Sequence, residues 1–111
     1  MVFNIAISYT DDHWWNHGFL LTPKGWILSP AYDINPSMDK SGLALNIDMD
    51  NNALDFDLAK SVGEYFRLKS IEMDHILREV QNPEKDWKTI AKQIGIPNSE
   101  QIVMDVAFRL K

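Results

Sequence analysis

The 111-residue chain contains no cysteine, which excludes a disulfide framework and any thiolate zinc site. No apolar run approaches the roughly 20 residues a membrane-spanning helix needs, and the apolar start at residues 2–7 has no basic flank of the kind a signal peptide carries. Neither membrane insertion nor export is expected, and a cytoplasmic location fits best. Basic residues are also few: 11 Lys and Arg stand against 16 Asp and Glu, a net charge of −5 with a pI near 5.0. Such a surface is not made for phosphate-backbone contact, so any nucleic-acid role would belong to a partner. The five glycines are scattered, which leaves no Gly-rich loop to cradle phosphates. A chain this short buries somewhat over about 60% of its unfolded surface. One modest domain over residues 1–111 is therefore expected, with no room for separate nucleotide-binding and catalytic halves.

What the chain does have is pattern. Phe3, Ile5 and Ile7 alternate like a strand, yet Val2, Phe3 and Ala6 also fall on one helical face, and so short a run fits both. Phe19-Leu-Leu and Trp26-Ile-Leu flank Thr22-Pro-Lys-Gly25, which predicts a β-hairpin. Pro30 and Pro36 make the next segment irregular. Residues 37–54 read as loop, with a possible short strand over residues 43–47.

From Asp55 onward the apolar spacing becomes helical. Leu58, Val62, Tyr65 and Phe66 mark a first helix and Met73, Ile76, Leu77 and Val80 a second. Trp87, Ile90, Ala91 and Ile94 mark a third, and Val103, Val106, Ala107 and Leu110 a fourth. These stripes are expected to be core. Asn82-Pro83 predicts the start of the third helix, Gly95 with Pro97 its end, and Asn98 with Gln101 a capping box for the fourth. Gly63 inside the first helix suggests close packing against a neighbour.

The polar residues concentrate in the first third. Asp11 and Asn16 lie five apart in Thr10-Asp-Asp-His-Trp-Trp-Asn16, a hairpin follows, and Asp33 sits in the Pro-rich turn beyond it. That order suits kinase-type phosphotransfer: an Asp that accepts the substrate hydroxyl proton, an Asn that binds Mg²⁺, and a second Asp on the metal that bridges the nucleotide phosphates. Spacing alone is weak ground, because an Asp-x4-Asn pair arises readily by chance. Taken alone, the pattern is met as well by an Asp capping a helix and an Asn satisfying turn backbone.

Two longer motifs add to it. Thr10-Asp-x-His-x-x-Asn16 and Ser29-Pro-x-Tyr-Asp-x-x-Pro36, separated by an aromatic hairpin, resemble the carboxy-terminal region of HipA-like serine/threonine kinases, the toxins of bacterial type II toxin–antitoxin pairs linked to persistence. The resemblance continues through Leu43-Ala-Leu and Asp57-Leu-Ala to Phe108. It implies a mainly α fold, the helical C-terminal lobe of a protein-kinase-like architecture, with a short β-hairpin near the catalytic loop. Residues 1–36 would hold the catalytic loop, hairpin and metal-binding segment, and residues 55–111 a helical bundle. The start at residues 2–8 would be the end of a helix.

By the same resemblance Asp11 is the catalytic Asp, His13 supports the loop, and Asn16 and Asp33 bind Mg²⁺ in the complete Mg²⁺·ATP-dependent kinase. No residue here matches the nucleotide-gripping Lys, so the ATP-binding N-terminal lobe is expected to be absent and the isolated chain inactive. The implied partners are a HipB-like antitoxin or a complementary N-terminal lobe, and the implied substrate a protein serine, such as one on an aminoacyl-tRNA synthetase. The alternative is a decayed toxin, a non-catalytic module that still binds such a partner.

Other candidates carry less. His13 and His17 have a transition-metal spacing but no His-Glu-x-x-His frame. Residues 48–52 open like an EF-hand loop, yet Ala53 and Ala59 stand where Gly and Glu are needed, so a polar turn is expected. Asp12 reads as loop support. Trp14 and Trp15 fit either partner contact or packing within the core or hairpin.

Overall fold

The computed structural model describes residues 1–109 and is mainly helical, with one small antiparallel sheet. Helix α1 (Val2–Ala6) opens the chain, a 3-10 turn (Trp14–Asn16) follows, and strands β1 (Phe19–Thr22) and β2 (Gly25–Leu28) form the hairpin. Phe19 pairs with Leu28 and Thr22 with Gly25, so the turn is Pro23-Lys24, and Gly25 adopts the positive φ of +113° that the reversal requires. The helical start and the hairpin match expectation. Residues 43–47 do not form a strand. Asn52 and the backbone of residue 51 take the hydrogen bonds of Leu43 and Ile47 instead, leaving only a bridge between Gly42 and Ala53. At residues 48–51 the Asp48 carboxylate accepts from the Asp50 and Asn51 amides, a polar turn as expected.

Helices α2 (Phe56–Ser61), α3 (Ser70–Glu84), α4 (Trp87–Gln93) and α5 (Asn98–Met104) complete the fold. The Asp55 carboxylate caps α2 by accepting from the Asp57 and Leu58 amides. The first predicted helix breaks after Ser61 and continues as a 3-10 turn (Gly63–Phe66), which leaves Tyr65 and Phe66 exposed. Gly63 is buried, and any Cβ there would run into the Met73 side chain on α3, which supports the close-packing reading.

Two predicted helix boundaries are corrected. Asn82 and Pro83 lie in the last turn of α3 rather than at a new start, and α4 begins after Asp86. Proline removes only one ladder bond there, the one to the carbonyl of Glu79, itself an exposed residue. Asn98 is the first residue of α5, not its cap. Gln101 donates instead to the Ile96 carbonyl at 2.8 Å, so no capping box forms. The end of α4 is as expected: Gly95 has φ +85°, with Ile96 N–H bonding to Ala91 and Gly95 N–H to Lys92 in a Schellman arrangement.

Ile5 of α1, fully buried, forms a core with Leu43, Ile47, Ala59 and Val62. Ala6, Ile7 and Tyr9 form a second cluster, against which Phe56, Val80 and Phe108 pack. The expected apolar stripes of the third and fourth helices are core only in part: Ala91 and Ala107 are buried and Trp87 is half-buried. Ile90, Ile94, Val103 and Val106 are exposed, because the short α4 and α5 pack through Ala91, Gln101 and a Trp87–Phe108 stack while no layer covers their outer side. Leu110 lies outside the described residues. The hairpin is exposed on both faces. Total accessible area is 8175 Å², against about 6,300 Å² for a compact chain of this mass. The radius of gyration of 15.6 Å likewise exceeds the ~13 Å of a compact 100-residue domain.

Glu84 is a buried charge at the end of α3. Burial pushes its carboxyl up to about 7, and the nearby Arg109 backbone N–H offsets this only in part. The unfolded chain loses that proton near pH 4.5 and the folded chain only near 7, so stability is fullest below the lower value and falls as pH rises between them. Urea unfolding at pH 5 and pH 8 is expected to differ by on the order of 1–3 kcal/mol, with much of the slope lost in Glu84→Gln. An unchanged slope in that variant would place its source elsewhere.

Candidate functional site

Helix α1 delivers the chain into the site. Beyond its buried Ile5 and Ala6, the residues Ser8, Tyr9 and Thr10 are all buried, so the stem is fixed before the chain turns outward at Asp11. Ser8 holds a φ of +53°, uncommon for a residue with a side chain. Its Oγ donates to the Ala107 carbonyl at 2.7 Å and accepts from Arg109 Nε at 3.2 Å, while its own carbonyl accepts from Ser37 N–H at 2.9 Å. The Thr10 carbonyl accepts from Ala44 N–H at 2.9 Å. The C-terminal segment and the 37–44 loop are both tied to this stem.

Asp11 is exposed. Its Oδ1 meets Lys40 Nζ at 3.2 Å and His13 Nε2 at 3.1 Å, and these contacts, Lys40 foremost, hold its carboxyl below the usual range. Oδ2 has no hydrogen bond among the described residues. The His13 ring stacks on Trp15 at 4.5 Å between centroids. Asn16 closes the 3-10 turn, its Oδ1 accepting the His13 backbone N–H at 2.8 Å, which leaves that oxygen a second lone pair.

Asp12 is largely buried and accepts from Asn4 Nδ2 at 2.6 Å, while pairing with His17 Nε2 at 2.8 Å. It thereby ties the loop back to α1. His13 and His17 thus turn to different carboxylates. Trp14 and Trp15 are 77 and 73% exposed, so neither packs in the core.

Asp33 is exposed at φ +56°, and its Oδ1 accepts from Asn35 Nδ2 at 3.1 Å. The preceding Tyr32 hydroxyl donates to the Trp15 carbonyl at 2.7 Å, latching this segment onto the loop that carries Asn16. Asn16, Tyr9, Asp12 and residues 29–32 line one cavity of about 170 Å³. Asp33 is beside that wall rather than in it. The buried Tyr9 hydroxyl has no hydrogen-bond partner among the described residues, and its pKa is raised by burial first and then by the charges of Asp12, Asp33 and Asp11. Those three carboxylates therefore lie within electrostatic reach of one phenol.

Among the described residues no three His, Asp or Glu side chains group to hold a metal ion unaided. Asn16 and Asp33 do offer hard oxygen donors with lone pairs to spare, the chemistry of a cation that takes the rest of its shell from phosphate and water. Lys40 carries no signature in the sequence. Its partner Asp11 is 29 positions away, and no local pattern marks the pair. No helix among the described residues is long and apolar enough to cross a membrane.

A family model described as the HipA-like C-terminal domain matches residues 1–110. No curated protein and no solved structure matches the chain.

Proposed function

We propose a function from the premise that this chain belongs to the HipA-like C-terminal domain family: it is the catalytic-lobe portion of a Ser/Thr protein kinase in a toxin–antitoxin setting. The observation that carries this reading is the Tyr32–Trp15 latch, which holds the Asp33 segment against the loop bearing Asp11 and Asn16. In the complete kinase, the unbonded Oδ2 of Asp11 accepts the proton of the target hydroxyl as its oxygen bonds to the γ-phosphorus and ADP leaves. Asn16 and Asp33 would hold Mg²⁺, which would neutralise phosphate charge when bound. His13 keeps Asp11 and the 3-10 turn in register. The lobe that grips ATP comes from outside these residues, so the isolated 111 residues turn over no ATP. The substrate is a protein serine, with an aminoacyl-tRNA synthetase as the first candidate to assay.

A second reading, a non-catalytic module that binds a complementary lobe or a HipB-like antitoxin, is favoured by one observation. The hairpin exposes Phe19, Leu21 and Trp26, the end of α4 exposes Ile94, and the 3-10 turn after α5 (Asp105–Ala107) exposes Val106. The excess area over a compact chain exceeds the roughly 800 Å² that each partner of a standard interface buries, enough surface for a partner to cover. The experiment that separates the two is titration of Mg²⁺·ATP into a reconstituted two-lobe protein. Asp33→Ala is expected to weaken binding on the order of 10- to 100-fold. Binding untouched by that change, or absent in the parent, would favour the non-catalytic module.

A further inference from the structure

Lys40 touches the carboxylate that the proposed function places at the centre of the chemistry. Exposed ion pairs are usually incidental, because two long side chains must be held in one geometry against solvent. This one is built differently. Lys40 lies within the 37–44 span, and that span is fastened near both ends to the stem of the Asp11 loop: Ser37 N–H donates to the Ser8 carbonyl and Ala44 N–H to the Thr10 carbonyl, both at 2.9 Å. Ser8 and Thr10 are 2 and 1% exposed, so both anchors end on the buried stem, while the donor Ser37 is half-buried and the donor Ala44 exposed. Asp11 follows Thr10 directly, and the two ends of the ion pair therefore grow from one hydrogen-bonded frame.

The contacts on Asp11 are also one-sided. Lys40 Nζ and His13 Nε2 both meet Oδ1, at 3.2 and 3.1 Å, while Oδ2 is left without a partner among the described residues. Two donors on one oxygen fix the carboxylate plane and keep the group ionised, and the other oxygen remains available to an incoming hydroxyl. We infer that Lys40 is a positioning residue of the phosphotransfer site, acting through Asp11. The inference rests on the kinase reading for its function and on the 37–44 anchors for its geometry.

The charged or titratable groups around Asp11 are Lys40 and His13 in direct contact, with Tyr9 near enough to feel its charge. Removing Lys40 takes away the largest influence that keeps the Asp11 carboxyl low. In the complete kinase, Lys40→Met is therefore expected to cut kcat about tenfold and to move the acid limb of its pH profile upward. KM for ATP stays within about twofold, and Lys40→Arg restores the parent profile, since a guanidinium keeps the charge and a donor. Activity with an unmoved acid limb in Lys40→Met would overturn the role of Lys40 while leaving the kinase reading intact. A parent protein without phosphotransfer would overturn both. The pairing itself is read on the 111-residue chain by NMR titration of the Asp11 carboxyl. A midpoint higher in Lys40→Met and equal to the parent's in Lys40→Arg is expected, and equal midpoints in all three would overturn the pairing whatever the activity.

Discussion

Asp11→Asn in the complete kinase is expected to lower phosphotransfer by about 10²- to 10⁴-fold, the usual contribution of a positioned general base. The amide keeps the shape of the carboxylate, so the loop geometry survives, but it cannot take the proton that the attacking hydroxyl must lose. Lys40 and His13 would then face a neutral oxygen, a modest local loss at an exposed position. Affinity for Mg²⁺·ATP should change little, because the proposed metal ligands are Asn16 and Asp33. This split, rate lost and nucleotide binding kept, distinguishes a base from a metal ligand and from a folding defect. Equal loss in binding and rate would move Asp11 into the metal site. Phosphotransfer by the isolated 111 residues, abolished in Asp11→Ala, would show that no second lobe is needed.

The parts of this molecule that could be read from sequence are those governed by neighbours along the chain. The hairpin follows from Pro23 and Gly25 between two apolar runs, and the end of α4 follows from Gly95, whose positive φ is local chemistry. The order Asp11, Asn16, Asp33 is visible in the sequence, and the roles of these residues are those proposed above. What was not legible is which of several competing partners a residue takes, and whether a distant part of the chain covers it. Asn98 and Gln101 have the letters of a capping box, yet Gln101 finds the Ile96 carbonyl instead. Asn82-Pro83 has the letters of a helix start, but α3 runs through it because its last turn tolerates a missing donor. The apolar periodicity toward the C-terminus marks helical segments, yet of its stripes only Ala91 and Ala107 are fully buried, since periodicity shows which face is apolar and not whether another layer covers it. Lys40 belongs to the same class. Its meaning comes from anchors at Ser8 and Thr10 that no spacing rule connects.

Ile5→Ala is expected to cost about 2–5 kcal/mol of stability, at the upper end if the site cannot collapse. Ile5 is wholly buried where α1 meets Leu43 and Ile47 of the long loop and Ala59 and Val62 of the α2 region. Three separate stretches of chain lose contact with one another when its branched side chain is removed. Helix α1 has only five residues and no side-chain cap, so its own hydrogen bonds cannot hold it in place. A typical domain has only about 5–15 kcal/mol in hand, and this chain leaves more surface uncovered than a compact one of its mass. The same change should loosen the site, since Ser8, Tyr9 and Thr10 follow on the next turn and carry the anchors for the Asp11 and Lys40 segments. Urea unfolding is expected to show a lower midpoint with an unchanged slope, and hydrogen exchange at the Ser37 and Ala44 amides is expected to accelerate more than global unfolding explains. The milder Ile5→Val, at about 0.5–1.5 kcal/mol, should keep those two amides protected. If both variants lose protection there only in step with global stability, α1 contributes to the fold alone and the frame that holds Asp11 against Lys40 is set elsewhere.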